Sequence, residues 1–305
     1  MPTEKENRRN QVLKAFDVAL NRQGHPFQYS VLRRAEELFR ANKSKWVFEA
    51  TEFPVEVQQF GTRVDFVLKH FNSSPYYILA ECKRANPAFS DWCFAYAPYY
   101  RRNRSKRIFV MEHAELGENR KLRSRAAIVD LHDGPKPYQI AVEIKSGKRG
   151  DATGQIKGTI EEAATQVCRA LNGMLEIFMR NPNCLELRET VDLLPVIFTT
   201  AQIWVSDVDL GAADLRTGEI DISQSNLQRA KWIIYQYHAS PGLKHTVPPV
   251  NKSAGLGQLM EREYVRMIPI VCSEGIDEFL LWSSSFGANP PVDISVSQLK
   301  RSSHF

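Results

Sequence analysis

Tyr76-Tyr77-Ile78-Leu79-Ala80-Glu81-Cys82-Lys83 is an apolar run that ends in an acid and a lysine spaced two apart. Successive side chains on a strand point to opposite faces, so a strand here sets Glu81 and Lys83 on one face and Ile78, Ala80 and Cys82 on the other. Charge is costly to bury unless it is paired or bound to metal, which makes this run either a solvated strand end or a working site. The triplet alone decides nothing, because Glu143-Ile144-Lys145 repeats it. The flanking sequence has to decide.

Upstream of the first triplet, Arg63-Val64-Asp65-Phe66-Val67-Leu68 also alternates, with Val64, Phe66 and Leu68 on one face and Asp65 on the other. Asn72-Ser73-Ser74-Pro75 between the two runs is turn chemistry, so the pair reads as an antiparallel hairpin. A turn centred near residues 73 and 74 puts Asp65 opposite residue 82, give or take one, within a rung of Glu81. Two carboxylates at that separation can share one cation. For the second triplet the nearest upstream acid is Asp130, with a turn at Asp133-Gly134-Pro135-Lys136-Pro137. That turn puts Asp130 opposite about residue 139, roughly 13 Å from Glu143 at strand rise. Glu143 and Lys145 are therefore expected at an exposed strand end, the alternative being that they form the true centre.

Around the first hairpin the periodicity predicts a helix at about 28 to 42, with Val31, Leu32, Ala35, Leu38 and Phe39 on one stripe and Glu36 at its edge. A short run, Trp46 to Thr51, can serve as a first strand. Further on, Thr159 and Glu162 have capping-box spacing, and Ile160, Ala164, Val167, Leu171, Met174, Leu175 and Phe178 keep helical period. Leu193 to Val205 reads as a central buried strand and its continuation. Strand and helix candidates follow at 232–237, 265–271 and 276–282.

Asp65, a hairpin and then Glu81-x-Lys83 resembles the PD-(D/E)xK nuclease superfamily. No proline precedes Asp65; Val64 stands there. The resemblance spans roughly residues 28 to 205 and implies an α/β, restriction-endonuclease-like core: helix, three-stranded antiparallel meander, helix and strand, in a mixed central sheet flanked by helices. To this core the sequence adds an insertion and C-terminal strand and helix. The resemblance further implies hydrolysis of phosphodiesters with Mg²⁺, for which Mn²⁺ can substitute. Asp65 and Glu81 would be the metal ligands, and Lys83 would orient water or steady the phosphate. Glu36 matches the acid many members carry on the first helix, and Gln166 resembles a glutamine that several branches place near the site. DNA is favoured over RNA, in defence against foreign DNA or in repair. The alternative is a catalytically inactive nuclease-fold subunit that binds nucleic acid or serves in assembly.

Charge distribution points to a polyanion. The chain is +5 overall, but residues 101–125 hold nine Lys or Arg against three acids, so that segment is +6 and the remainder −1. Arg101, Arg102, Arg104, Lys106, Arg107, Arg123 and Arg125 are the candidate phosphate contacts, extended by Lys145, Lys148, Arg149 and Lys157. Aromatics from Trp92 to Tyr100 could stack on unpaired bases, or form a second small core.

At 305 residues, 43% hydrophobic and 25% charged, the expectation is a soluble, cytoplasmic protein with no membrane span. Five cysteines without metal spacing suggest reduced thiols, and there is no Walker-type loop. Residues 1–27 read as a helical extension packed outside the core, 28–285 as the nuclease-like domain with its insertion at about 86–140, and 286–305 as a weakly ordered tail. Residues 240–257 read as a loop or linker. Cutting both strands with one site calls for a homodimer or a partner protein in a larger complex.

Overall fold

The computed structural model describes residues 4–22, 24–57, 60–71, 76–86, 90–97, 107–116, 122–130, 137–145, 153–155, 158–180, 190–223, 225–243 and 264–285. The turn at 72–75, most of the loop at 240–257 and the tail at 286–305 lie outside them.

Helix α1 (Glu4–Arg22) turns at Gly24 into α2 (His25–Arg40). Gly24 has φ 73°, a left-handed conformation that glycine adopts without Cβ strain, and Pro26 presets the first turn of α2. The buried stripe of α2 is Val31, Ala35 and Leu38, at the spacing one helical face requires. Strands β1 (Trp46–Val57), β2 (Phe60–His70) and β3 (Tyr76–Lys83) form an antiparallel meander. Helix α3 (Thr159–Arg180) then crosses over to β10 (Thr190–Thr199), which runs parallel to β3 along its whole length, from Tyr76 opposite Asp192 to Lys83 opposite Thr199.

The period-two alternation of β3 sorts its side chains between two layers. Ile78 and Ala80 join Val31, Ala35 and Leu38 of α2 in one core, with Phe66, Phe198 and Phe279. Tyr77 and Leu79 face the other way, into a core with Ala170, Leu171, Met174, Leu175 and Phe178 of α3. The sheet is thus sandwiched between α2 and α3. Burying each of Phe66, Phe198 and Phe279, which are fully sequestered, is worth about 1.5–3 kcal/mol. Beyond β10 the sheet continues through β14 (Val265–Cys272) and β13 (Trp232–His238) to β7 (Pro137–Tyr138). Helix α4 (Ile276–Ser284) closes the α2 side, where Arg34 of α2 grips Asp277 with two nitrogens. The C-terminal strand and helix therefore return to the main sheet.

A second, five-stranded sheet has the order β12 (Leu227–Ala230), β11 (Gln202–Ser206), β4 (Asp91–Ala95), β8 (Ile140–Lys145) and β9 (Thr153–Gln155). Here the sequence reading needs correction. Leu193 to Val205 is two strands: β10 ends at Thr199, and β11 belongs to the other sheet. Strand β3 makes the same transfer into β4, and the parallel partners pair again as β4 and β11. Thr200 ties the crossing, its N–H donating to the Lys83 carbonyl and its Oγ1 accepting from Ala85 N–H at 2.9 Å.

The described strands of the insertion are accordingly part of the two sheets. Trp92 and Phe94 are fully buried in a core with Val167 and Cys168 of α3, and Tyr96 stacks on Tyr138 at 4.3 Å between ring centres. Of the two readings of these aromatics, the second core is the one formed; Tyr99 and Tyr100 lie outside the described residues. Strands β5 (Arg107–Leu116) and β6 (Leu122–Asp130) pair with each other, and β5 also pairs with β10, so Asp130 is not on a hairpin with Glu143. The expected packing of the N-terminal helix against the core is also not found. Val12, Leu13 and Phe16 of α1 are more than half exposed.

The seat of α3 on the meander is tight at Gly173, where an added Cβ would lie 2.7 Å from Val55 Cβ. That atom is fixed to the β1 backbone and cannot swing aside. Gly173→Ala is expected to cost about 1–3 kcal/mol in chemical denaturation. An unchanged midpoint would show that α3 is not clamped there.

Candidate functional site

The β2–β3 pairing runs from Lys69 opposite Tyr77 to Phe66 opposite Ala80, and one further residue sets Asp65 across from Glu81. Both stand on the α3 side of the sheet, because Phe66 and Ala80 next to them face α2. The ladder stops here, which leaves the Cys82 N–H without a β2 carbonyl. Asp65 Oδ2 accepts it at 2.6 Å. The half-buried Asp65 is thus fixed in orientation by the backbone of the strand that carries the buried Glu81.

Glu81 is only 6% exposed. Its Oε1 lies 3.0 Å from Lys83 Nζ, and the same ammonium donates to Gln166 Oε1 on α3 at 2.5 Å. Glu162, one turn earlier on α3, adds a carboxylate 3.6 Å from Lys83 at the open side. Burial, then the nearby Asp65 charge, push the Glu81 carboxyl up to about 8. Asp65 is also raised, by burial first, with the Cys82 N–H acting against it and Glu52 adding to it. Burial pulls the Lys83 ammonium down, but Glu81, Glu162 and Asp65 outweigh it and the net displacement is upward.

Asp65, Glu81, Lys83 and Gln166 are therefore brought together, whereas Glu36 is not. It stands on the exposed side of α2 with its carboxylate 2.6 Å from Arg40. The acid that the sequence reading missed is Glu52 on β1. Its neighbours Thr51 and Phe53 pair with Phe66 and Val64, so Glu52 comes level with Asp65. It adopts a left-handed φ of 48°, costly for a residue with a side chain and a mark of positions held for a purpose. Gln28, buried at the start of α2, bonds to both, donating to Glu52 Oε1 at 3.1 Å and to the Asp65 carbonyl at 2.6 Å. Carrying the alternation of β1 one residue past Thr51 would have found Glu52. Gln28 had no signal, since glutamine at a helix start is ordinary.

Glu143 is corrected as well: it is not at an exposed strand end but 4% exposed, accepting the Ile160 N–H at 2.9 Å. A carboxylate at a helix N-terminus satisfies a free donor and complements the dipole. Glu143 thus caps α3, and a Cβ at Gly158 would meet Glu143 Oε1 at 2.6 Å and displace this carboxylate. Glu162, expected as the capping-box partner of Thr159, turns instead to Lys83. Of the basic candidates, Arg101, Arg102, Arg104 and Lys106 lie outside the described residues, as do Lys148, Arg149 and Lys157. For Arg107, Arg123, Arg125 and Lys145 only the backbone is described, in β5, β6 and β8.

The chain matches no known protein family, no curated protein and no solved structure.

A carboxyl whose folded value is raised holds its proton more tightly in the folded state than in the unfolded one. Glu81 therefore costs nothing below its ordinary value of 4.5, and it reduces stability progressively as pH rises towards about 8. In metal-free buffer, Glu81→Gln should melt several degrees higher than the wild type at about pH 9, and the two should converge near pH 5. Parallel melting curves offset by a constant amount would contradict the raised value.

Proposed function

We propose that this chain is a metal-dependent nuclease of the PD-(D/E)xK type, hydrolysing phosphodiester bonds of nucleic acid, DNA ahead of RNA. The observation that carries the reading is the single cluster formed by Asp65, Glu81 and Lys83, with Lys83 3.0 Å from Glu81 and 2.5 Å from Gln166. The order of helix, antiparallel meander, crossover helix and parallel strand supports the restriction-endonuclease-like core that the resemblance implies.

Asp65 and Glu81 would hold Mg²⁺ or Mn²⁺. The fit is chemical: a buried and a half-buried carboxyl on neighbouring strands, both displaced upward, gain most from a nearby divalent charge. Among the described residues no group of three or more His, Cys, Asp or Glu side chains is placed to hold a metal. Two carboxylates suffice for Mg²⁺, which keeps several waters and takes phosphate oxygens. Such an ion would lower the pKa of a bound water and offset charge on the transition state.

The chain's own residues do the positioning. Cys82 N–H fixes the Asp65 carboxylate, so that no reorientation is needed during reaction. Gln166 and Glu81 hold the Lys83 ammonium, and its third N–H, now facing Glu162 at 3.6 Å, would turn to a phosphate oxygen or to the attacking water. Burial under α3 keeps the effective dielectric low and strengthens each of these interactions.

A second reading, a nuclease-fold subunit that binds nucleic acid without cutting it, is favoured by the direct Lys83–Glu81 contact, in which the ammonium itself compensates the acid. Supercoiled plasmid and single-stranded DNA and RNA, incubated with Mg²⁺ or Mn²⁺, separate the two. Asp65→Ala, Glu81→Ala and Lys83→Ala should each lose cleavage by at least about a hundredfold, and Glu36→Ala should stay within about twofold of wild type. Full cleavage by all three site variants would refute the assignment, and binding without cleavage by the wild type would select the second reading.

A further inference from the structure

In the elbow between α1 and α2, against β1, lies a recess of about 400 Å³, within the ~300–1,000 Å³ range of small-ligand sites. Leu20, Pro26 and Tyr29 make its apolar walls, and His25 and Glu52 are its polar groups. Tyr29 is 55% exposed, so its ring is partly free to take a partner.

Three attachments place this recess beside the carboxylate pair. Gln28 bonds to Glu52 at the recess and to the Asp65 carbonyl with the same amide nitrogen. Glu52 is close enough for its charge to raise Asp65. On the other side, Arg84, next to Lys83, donates through Nη1 to the carbonyl of Asn21, next to Leu20. The strained φ of 48° at Glu52 keeps a carboxylate at this junction, where it lies 4.0 Å from His25 Nδ1 and 3.8 Å from Arg63. An aromatic face open to one side, with a donor-acceptor pair at the rim, is how proteins take an unstacked base.

We propose that the recess receives an unpaired nucleobase adjoining the phosphate held at Asp65 and Glu81, with Tyr29 stacked on its face and His25 and Glu52 bonded to its edge. The inference rests on the nucleic-acid reading above and narrows the substrate to strands with an unstacked base at the site. A base held in a duplex cannot enter without being extruded, so single strands, flaps and mismatches are preferred over paired DNA.

The test uses the full chain in Ca²⁺ in place of Mg²⁺, with oligonucleotides carrying 2-aminopurine at each position in turn, single-stranded or annealed. The wild type should bind the single strand about tenfold more tightly than the duplex. Tyr29→Ala should lose about tenfold in single-strand affinity and none for duplex, and Tyr29→Phe should retain both. At one position the emission of the wild-type complex should be quenched relative to the Tyr29→Ala complex, a signature that general damage to the fold would not give. Equal affinity and equal emission for wild type and Tyr29→Ala overturn the inference, as does a wild type indifferent to strandedness. Cleavage in Mg²⁺ without the quench removes the recess and leaves the nuclease, whereas quench without cleavage removes the nuclease and leaves the recess as a binding site.

Discussion

Two carboxyl groups on neighbouring strands at the end of an antiparallel ladder, one buried and one half-buried, are the constraint on which the rest of this molecule depends. Asp65 and Glu81 face across one rung on the α3 side of the sheet, where the Asp65 charge raises the cost of ionising Glu81 and the Glu52 charge raises that of Asp65. Left alone, such a pair weakens the fold, since a buried acid without sufficient compensation loses the solvation it has in water. The surroundings answer with a backbone N–H on Asp65 and an ammonium on Glu81. That compensation is incomplete: both acids remain displaced upward. A residual demand for positive charge inside an otherwise well-packed interior is a feature of working sites more often than of scaffolds.

The scaffold explains how the demand is sustained. Helix α3 covers the acids, and it is held at both ends of the contact by exacting geometry: Glu143 bonded to its first turn and Gly173 pressed on Val55. The second sheet supplies Glu143, so the inserted strands set the position of the helix that delivers Gln166 and Glu162 to Lys83. The parallel partners β3 and β10 leave the main sheet together and re-pair as β4 and β11, which locks the strand end carrying Lys83 between two cores.

Local alternation made much of this legible. The β2–β3 hairpin, the rung shared by Asp65 and Glu81, the amphipathic α2 and α3 and the return of the C-terminal strand and helix all follow from period and turn chemistry. Reading failed where pairing is non-local. Nothing in the apolar run from Leu193 to Val205 says that it changes sheets, because Ile203, Trp204 and Val205 resume its apolar character after a few polar residues. Glu143 looked like a surface acid because its partner, the N-terminus of α3, is seventeen residues away and off its own strand. Glu52 stays hidden where Glu36 does not, because a helical edge is easier to see in sequence than a strand residue with positive φ.

The most direct measurement is a pH titration of the Glu81 carboxyl by ¹³C NMR, with and without Mg²⁺, assigned by comparison with Glu81→Gln. Without metal the carboxyl should titrate near 8, and with Mg²⁺ its midpoint should fall by more than about one unit, as the cation takes up the charge that burial and Asp65 oppose. A midpoint near the ordinary glutamate value in metal-free buffer, or one that Mg²⁺ does not move, would contradict the account.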